Sequence, residues 1–202
     1  MSELLNCCTD ELVSIEPTDR DIVHREGIWH KTAHVWLYDE NGFVYFQVRA
    51  DANKLYTSSS GHVTANETPK QTACREAKEE LGIDLKEEDL LLLDITRWEF
   101  DSETKHDHAF AHIYLYKLPV DFKDFDVDIN EVSDVVKIKA KDLLSDLLDL
   151  PFDYEEYDIH NQKLKHKKEL LVMPGEIPVL KYGRILREIT KRSKHEKENI
   201  KS

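Results

Sequence analysis

The chain has 202 residues with a formal net charge of −13, room for one ordinary domain and an extension. Hydrophobic residues make up 40% and charged residues 34%, so a lean core must lie under an ionic surface, and no run of about 18 apolar residues is present to span a membrane. Residues 1–160 hold 16 Lys+Arg against 36 Asp+Glu, and so acidic a body argues against a stable nucleic-acid partner, because like charges repel.

Met1 to Asp10 lacks the basic start and apolar stretch of a secretory signal. Cys7, Cys8 and Cys74 give neither a disulfide framework nor a Cys-x-x-Cys zinc pair, so reduced thiols in the cytoplasm are expected. Ser14 to Asp19 reads as a strand end followed by a turn. Ala33–Tyr38 and Phe43–Val48 are rich in strand formers, and Asn41-Gly42 between them signals a hairpin. Asp51 to Ser60 reads as a polar loop ending in three serines. Thr68-Pro69 suits a helix start, Gln71–Leu81 the helix and Gly82 its C-terminal cap. Leu90–Ile95 and Ala109–Leu118 read as strands, and Lys139–Leu148 has helical leucine spacing. Pro151–Tyr157 is an acidic, aromatic connector. Residues 161–202 reverse the charge balance, with 12 Lys+Arg against 5 Asp+Glu; they are read as a solvated helical end packing on the acidic body. There, Met173-Pro174-Gly175 and Pro178 break the chain before a helical stripe over Val179–Arg192. Strands flanked by two or three helices predict an α/β fold, a mixed sheet with helices on its faces. The expected division is an N-terminal segment at 1–27, a main domain at 28–160 and a basic, mainly helical extension at 161–202.

The chemistry concentrates in Gly61 to Ile83, GHVTANETPKQTACREAKEELGI. Glu76, Glu79 and Glu80 stand at i, i+3 and i+4, on one helix face. Like charges so placed destabilise a bare helix by about 0.2–0.5 kcal/mol per pair, so a compensating charge is expected. A divalent Mg²⁺ or Mn²⁺ suits carboxylate oxygens. Arg75 can grip Glu67 with two parallel hydrogen bonds and so fix loop to helix. Gly61 permits close backbone approach and could offer its carbonyl to a metal. An acidic run alone is ordinarily a solvated surface; the flanking Gly61, Glu67 and Arg75 argue for more.

These residues resemble the Nudix hydrolase signature, G-x5-E-x7-R-E-U-x-E-E-x-G-U with U a bulky aliphatic residue. Gly61, Glu67, Arg75, Glu76, Glu79, Glu80, Gly82 and Ile83 match, and only Ala77 is smaller than usual. The resemblance implies an α/β/α sandwich over roughly residues 30–150. It implies Mg²⁺ or Mn²⁺ on Glu76, Glu79 and Glu80, with Arg75 orienting them and Glu67 pairing with Arg75. The activity implied is metal-dependent hydrolysis of a diphosphate bond in a small molecule, a nucleoside diphosphate linked to another group. Glu79 is taken as the general base; its rival is a carboxylate from a later loop, sought between Glu99 and Asp107.

His30 to Tyr38 and Tyr56 to His62 also look like the isopentenyl-diphosphate isomerase branch of the superfamily. There, histidines matching His24, His30 and His62 help bind a metal, and a cysteine stands where this chain has Ser60. The missing thiol and the intact glutamate signature favour hydrolysis over isomerisation. A non-catalytic nucleotide sensor on the same fold is a third reading, but such proteins typically lose signature glutamates. His30 and His34, on an apolar strand, read as hydrogen-bonded core or rim residues, with His62 beside the metal loop. Cys74 reads as a small buried packing residue. Trp29, Trp36 and Trp98 read as core or pocket wall; spacing does not say which of them stacks on a nucleobase. Residues 151–202 are open to three roles: a homodimer contact, a substrate lid or packing.

Overall fold

The computed structural model describes residues 3–119, 122–148, 155–160, 162–164 and 178–199. At the N-terminal end β1 (Leu4–Leu5) pairs with β2 (Thr18–Asp19), and α1 (Arg20–Glu26) follows. The Asp19 side chain starts α1 by accepting from the N–H groups of Asp21 and Ile22. Sequence reading misses this helix because seven residues are too few to show an apolar stripe.

β3 (His30–Tyr38) and β4 (Phe43–Arg49) form the expected hairpin. Asp39 Oδ1 accepts from the N–H of Asn41 at 2.8 Å and of Phe43 at 3.0 Å, and Gly42 supplies the positive φ of 79° that the turn needs. The two strands pair directly only at Tyr38–Val44 and then part. Into the gap fit β5 (Leu55–Tyr56), on β4, and β6 (Ser59–His62), on β3. The Ser58 hydroxyl accepts from Leu37 N–H at 2.8 Å and donates to the Tyr45 carbonyl at 2.5 Å, so it ties the parted strands together. The Thr57 hydroxyl donates to the Val35 carbonyl at 2.7 Å. The stretch expected to be a polar loop is therefore in part a buried wedge whose hydroxyls replace sheet hydrogen bonds.

The rest of the described chain follows as α2 (Pro69–Leu81), β7 (Leu91–Asp101), β8 (His106–Lys117), β9 (Val132–Lys139), α3 (Ala140–Leu147), β10 (Glu156–Asp158) and α4 (Pro178–Asn199). The sheet order is β10-β9-β4-β3-β8-β7. β3 and β8 run parallel, and the other pairs are antiparallel. Strand alternation divides the core. Ala33, Val35 and Leu37 of β3 pack with Ala73 and Leu81 of α2. Trp36 and Tyr38, on the opposite face, pack with Leu143 of α3 and with Tyr182, Ile185, Leu186 and Ile189 of α4. The fold is thus the mixed α/β sandwich that the sequence implied.

Several elements differ from the sequence reading. β7 and β8 extend into one long hairpin, so most of the loop expected at 99–107 is strand. β9 was not expected. α4 runs on past Arg192 to Asn199. Cys74 is only partly buried, at the edge of the α2-side core. Residues 151–154 of the acidic connector and Met173-Pro174-Gly175 lie outside the described residues. Among the described residues no helix is long and apolar enough to cross a membrane.

Candidate functional site

The glutamates owe their position to a well-capped helix. The Thr68 hydroxyl accepts from Gln71 N–H at 3.3 Å, and the Gln71 side chain accepts from Thr68 N–H at 2.9 Å. Pro69 fills the first turn, and Gly82 ends the helix in a left-handed conformation. α2 crosses β6 so closely that a Cβ on Gly61 would fall 1.8 Å from Glu76 Oε1. The bare backbone of Gly61 is therefore what makes room for the Glu76 carboxylate.

Arg75 organises the cluster. Its Nε donates to Glu67 Oε1 at 2.8 Å and its Nη2 to Glu67 Oε2 at 3.1 Å, the two-pronged pair expected from the sequence. Nη1 lies 2.8 Å from Glu76 Oε1 and 2.8 Å from Glu79 Oε2, and Nη2 reaches the His62 carbonyl at 3.3 Å. Thr72 donates a further bond to Glu67 at 2.8 Å. Burial alone would raise the Glu67 pKa; the bonds from Arg75 and Thr72 outweigh it and hold this carboxyl below its ordinary value.

Glu76 and Glu80 behave in the opposite way. Burial pushes Glu76 up to about 7, with Arg75 opposing and Glu80 reinforcing the shift. Burial likewise pushes Glu80 up to about 7, against a hydrogen bond from Ser60 N–H at 3.0 Å. Glu79 is the outermost of the three, with its side chain 58% exposed. The half-buried carboxyl of Glu76 and the buried one of Glu80, both raised to about 7, form a donor set that a cation would complete. Oxygen-only donors of this kind fit Mg²⁺ or Mn²⁺. All six residues singled out from the sequence, Gly61, Glu67, Arg75, Glu76, Glu79 and Glu80, thus meet at one corner between β6 and α2.

The corner opens into a cavity of about 560 Å³ that Arg20, Arg49 and Glu131 also line. Glu131, just before β9, is absent from the sequence reading. It reaches the site only through the pairing of β9 with β4, and nothing local marks it. Its negative charge adds to the upward push on Glu80. The acidic stretch from Glu99 to Asp107 does not line this cavity. Asp101 instead holds His106 Nδ1 at 2.6 Å and His108 Nε2 at 2.9 Å, while Glu99 and Asp107 line a neighbouring cleft. That cleft, about 430 Å³, shares Thr32, His34 and Tyr56 with the first cavity.

A second group converges nearby. His24 of α1, His30 of β3 and His62 of β6 have ring centroids 5.1–5.2 Å apart. One candidate ligand atom from each lies within 4.8 Å of the others. The Nε2 atoms of His24 and His30 are buried without a hydrogen-bond partner, and Asp107 Oδ1 lies 3.6 Å from His30 Nε2. Burial depresses all three pKa values, that of His62 to about 2, so the rings are neutral and their lone pairs are available to a metal. His30 is the buried, hydrogen-bonded strand residue its sequence context suggested, with Nδ1 3.2 Å from the Ile28 carbonyl, and it also belongs to this group. His34 does belong to the strand interior, with burial holding its pKa down at about 3. Of the tryptophans, Trp36 is core, Trp29 lies beneath Arg97 at 4.4 Å, and Trp98 lines the cleft.

Comparison with known proteins identifies the family. A model of the NUDIX domain family matches residues 29–157. An uncharacterized Nudix hydrolase of Clostridium acetobutylicum is 31% identical over 192 residues, covering 90% of this chain and 92% of its own. Nudix hydrolase 3 of Arabidopsis thaliana is 26% identical over 153 residues, 71% of this chain and 20% of its own. In fold, the chain resembles the crystal structure of a Deinococcus radiodurans protein, with a TM-score of 0.54 at 17% identity over 75% of this chain and 93% of that one. With the family model spanning well over half of its length and a relative of matching size along nearly all of it, the chain belongs to the Nudix family and is a Nudix-type hydrolase.

Proposed function

We propose that the chain cleaves the diphosphate bond of a small molecule in which a nucleoside diphosphate is linked to another group, using Mg²⁺ or Mn²⁺ held by Glu76, Glu79, Glu80 and the Gly61 carbonyl. The observation that carries this reading is the pair of carboxyls, half-buried Glu76 and buried Glu80, the first seated against a backbone that only glycine leaves open. Bound there, the cation supplies neutralising charge to the phosphate oxygens and makes a water more acidic.

The chain's own residues do the rest. The Glu67–Arg75 pair anchors the loop to α2 and holds Glu76 and Glu79 at set positions. Arg20 and Arg49, on the cavity wall, offer donors to phosphate oxygens. Glu79, the most exposed of the three, takes the proton from the attacking water; Glu131, across the same cavity, is the competing base. Phosphate-containing products should appear from a panel of nucleoside diphosphate derivatives with Mg²⁺, and Glu80→Gln should abolish them. A Glu80→Gln protein that turns over at the wild-type rate refutes the assignment. Comparing Glu79→Gln with Glu131→Gln decides the base.

One observation favours a second reading. The His24–His30–His62 group with Asp107 nearby supports a metal centre of the kind the isomerase resemblance implies. Incubation with isopentenyl diphosphate separates the readings, since isomerisation without phosphate release would favour the isomerase. Cys7, Cys8 and Cys74 are free thiols, which supports a reducing, cytoplasmic compartment.

A further inference from the structure

The cleft beside the carboxylate cavity differs from it in chemistry. Its floor is Ala109 and Ala111 of β8, both buried. Strand register sets Trp98 beside Ala109 and Thr96 beside Ala111 on one side, with Thr32 beside Ala111 on the other. Small floor residues next to Trp98 leave a flat, shallow surface along the indole instead of an interdigitated core. Tyr56 stands at the junction with the carboxylate cavity, and His34 meets its ring edge-on at 6.1 Å. The Lys181 ammonium lies 5.7 Å from the Tyr56 centroid and 5.9 Å from that of Trp98, so both rings border the same space. Thr32 and Thr96, which flank Ala111 in register, bring hydroxyls to this mostly apolar slot.

We propose that this cleft is the specificity subsite of the enzyme and holds a planar heteroaromatic ring, the base of a nucleoside, against Trp98 and the Ala109–Ala111 floor while the attached diphosphate lies in the neighbouring cavity. It rests on the reading that the carboxylate cavity takes the diphosphate. The size agrees: about 430 Å³ is within the range of small-molecule pockets, roughly 300–1,000 Å³. So does the continuity of the two spaces through Thr32, His34 and Tyr56. A flat floor, a ring face and scattered polar groups suit stacking with edge hydrogen bonds. A branched aliphatic chain could use the alanine floor but not the hydroxyls of Thr32 and Thr96.

The test compares three probes by calorimetry on the full chain with Mg²⁺: the α,β-methylene analogue of ADP, methylenediphosphonate, and isopentenyl diphosphate. The nucleoside probe is expected to bind about tenfold or more tightly than methylenediphosphonate, the scale that base–aromatic stacking gives. Ala111→Leu, which fills the floor, and Trp98→Ala, which removes the platform, should each erase most of that difference, with the loss confined to the ring-bearing probe. Unchanged melting temperature and near-ultraviolet dichroism establish that Ala111→Leu remains folded, and Trp98→Ala gives an independent reading if it does not. Equal affinity for the nucleoside and diphosphonate probes overturns the proposal, as does indifference of the nucleoside probe to both substitutions. Isopentenyl diphosphate binding more tightly than the nucleoside probe, and weakened by Ala111→Leu, also overturns it in favour of a prenyl occupant. Failure of the hydrolase reading looks different: no derivative is turned over, yet the nucleoside probe keeps its advantage and loses it with these substitutions.

Discussion

Saturating the metal-free protein with Mg²⁺ near pH 6 should expel close to two protons. Glu80 is buried and Glu76 half-buried, and burial raises each from 4.5 to about 7. A carboxyl with that pKa is about nine-tenths protonated at pH 6, whereas one at 4.5 is only about 3% protonated. A cation held by both carboxylates must therefore displace nearly two protons in the first case and almost none in the second. The pair titrates as a unit, so the apparent Mg²⁺ affinity should climb by up to about 100-fold per pH unit below pH 6.5 and level off above about pH 8. His24, His30 and His62 have depressed pKa values and prefer other metals, so they add little. Calorimetry in two buffers of different ionisation heat counts the protons. Glu80→Gln should reduce the count to about one. Release of less than about 0.3 proton at pH 6 under saturating Mg²⁺ would show that the carboxyls are not held near neutrality, and the reasoning would fail.

The remaining predictions draw on the same geometry. Without metal, the raised pKa values mean that the folded chain keeps protons which the unfolded chain has lost. This share of stability is complete below pH 4.5 and gone once pH passes about 7; it amounts to about 3 kcal/mol per carboxyl. The histidines, shifted downward, act in the opposite direction, so the informative quantity is the gain in melting temperature on adding Mg²⁺, which should grow from pH 5 to pH 8. Gly61→Ala places a Cβ where Glu76 now lies, 1.8 Å from its Oε1; Mg²⁺ affinity measured by titration should fall at least about tenfold, and unaltered affinity would count against the cradle. Arg75→Lys loses the two-pronged grip on Glu67 and the contacts to Glu76 and Glu79, and urea unfolding should register about 2 kcal/mol of lost stability. Tyr182→Ala empties a site that is 2% exposed against Trp36 and should cost about 3–5 kcal/mol; a cost below about 1 kcal/mol would mean that α4 is not part of the core.

How much of this was legible in the sequence depends on how local each feature is. α2 was readable to within two residues because its cap, first-turn proline, helix-forming body and closing glycine all lie within fifteen residues. The Glu67–Arg75 pair was readable because loop and helix are contiguous. The hairpin turn was readable too, but not the parting of its strands, because the buried hydroxyls of Thr57 and Ser58 look like loop polarity until their partners on β3 and β4 are known. Glu131 and Trp98 acquire meaning only through strand pairing across long stretches of chain. The histidine group joins three separate elements, so His24, His30 and His62 could be named together only through the resemblance to the isomerase branch and not from their spacing. β9 was missed although Val132, Val135, Val136 and Ile138 mark it as a strand former; its two exposed polar residues, Ser133 and Asp134, interrupt the apolar pattern.

The most direct measurement is anomalous scattering from crystals soaked in Mn²⁺ with the α,β-methylene analogue of ADP. The account predicts a peak about 2.0–2.3 Å from oxygens of Glu76 and Glu80, adjoining the diphosphonate. Manganese found solely among His24, His30 and His62, with the glutamates bare beside bound ligand, would contradict it.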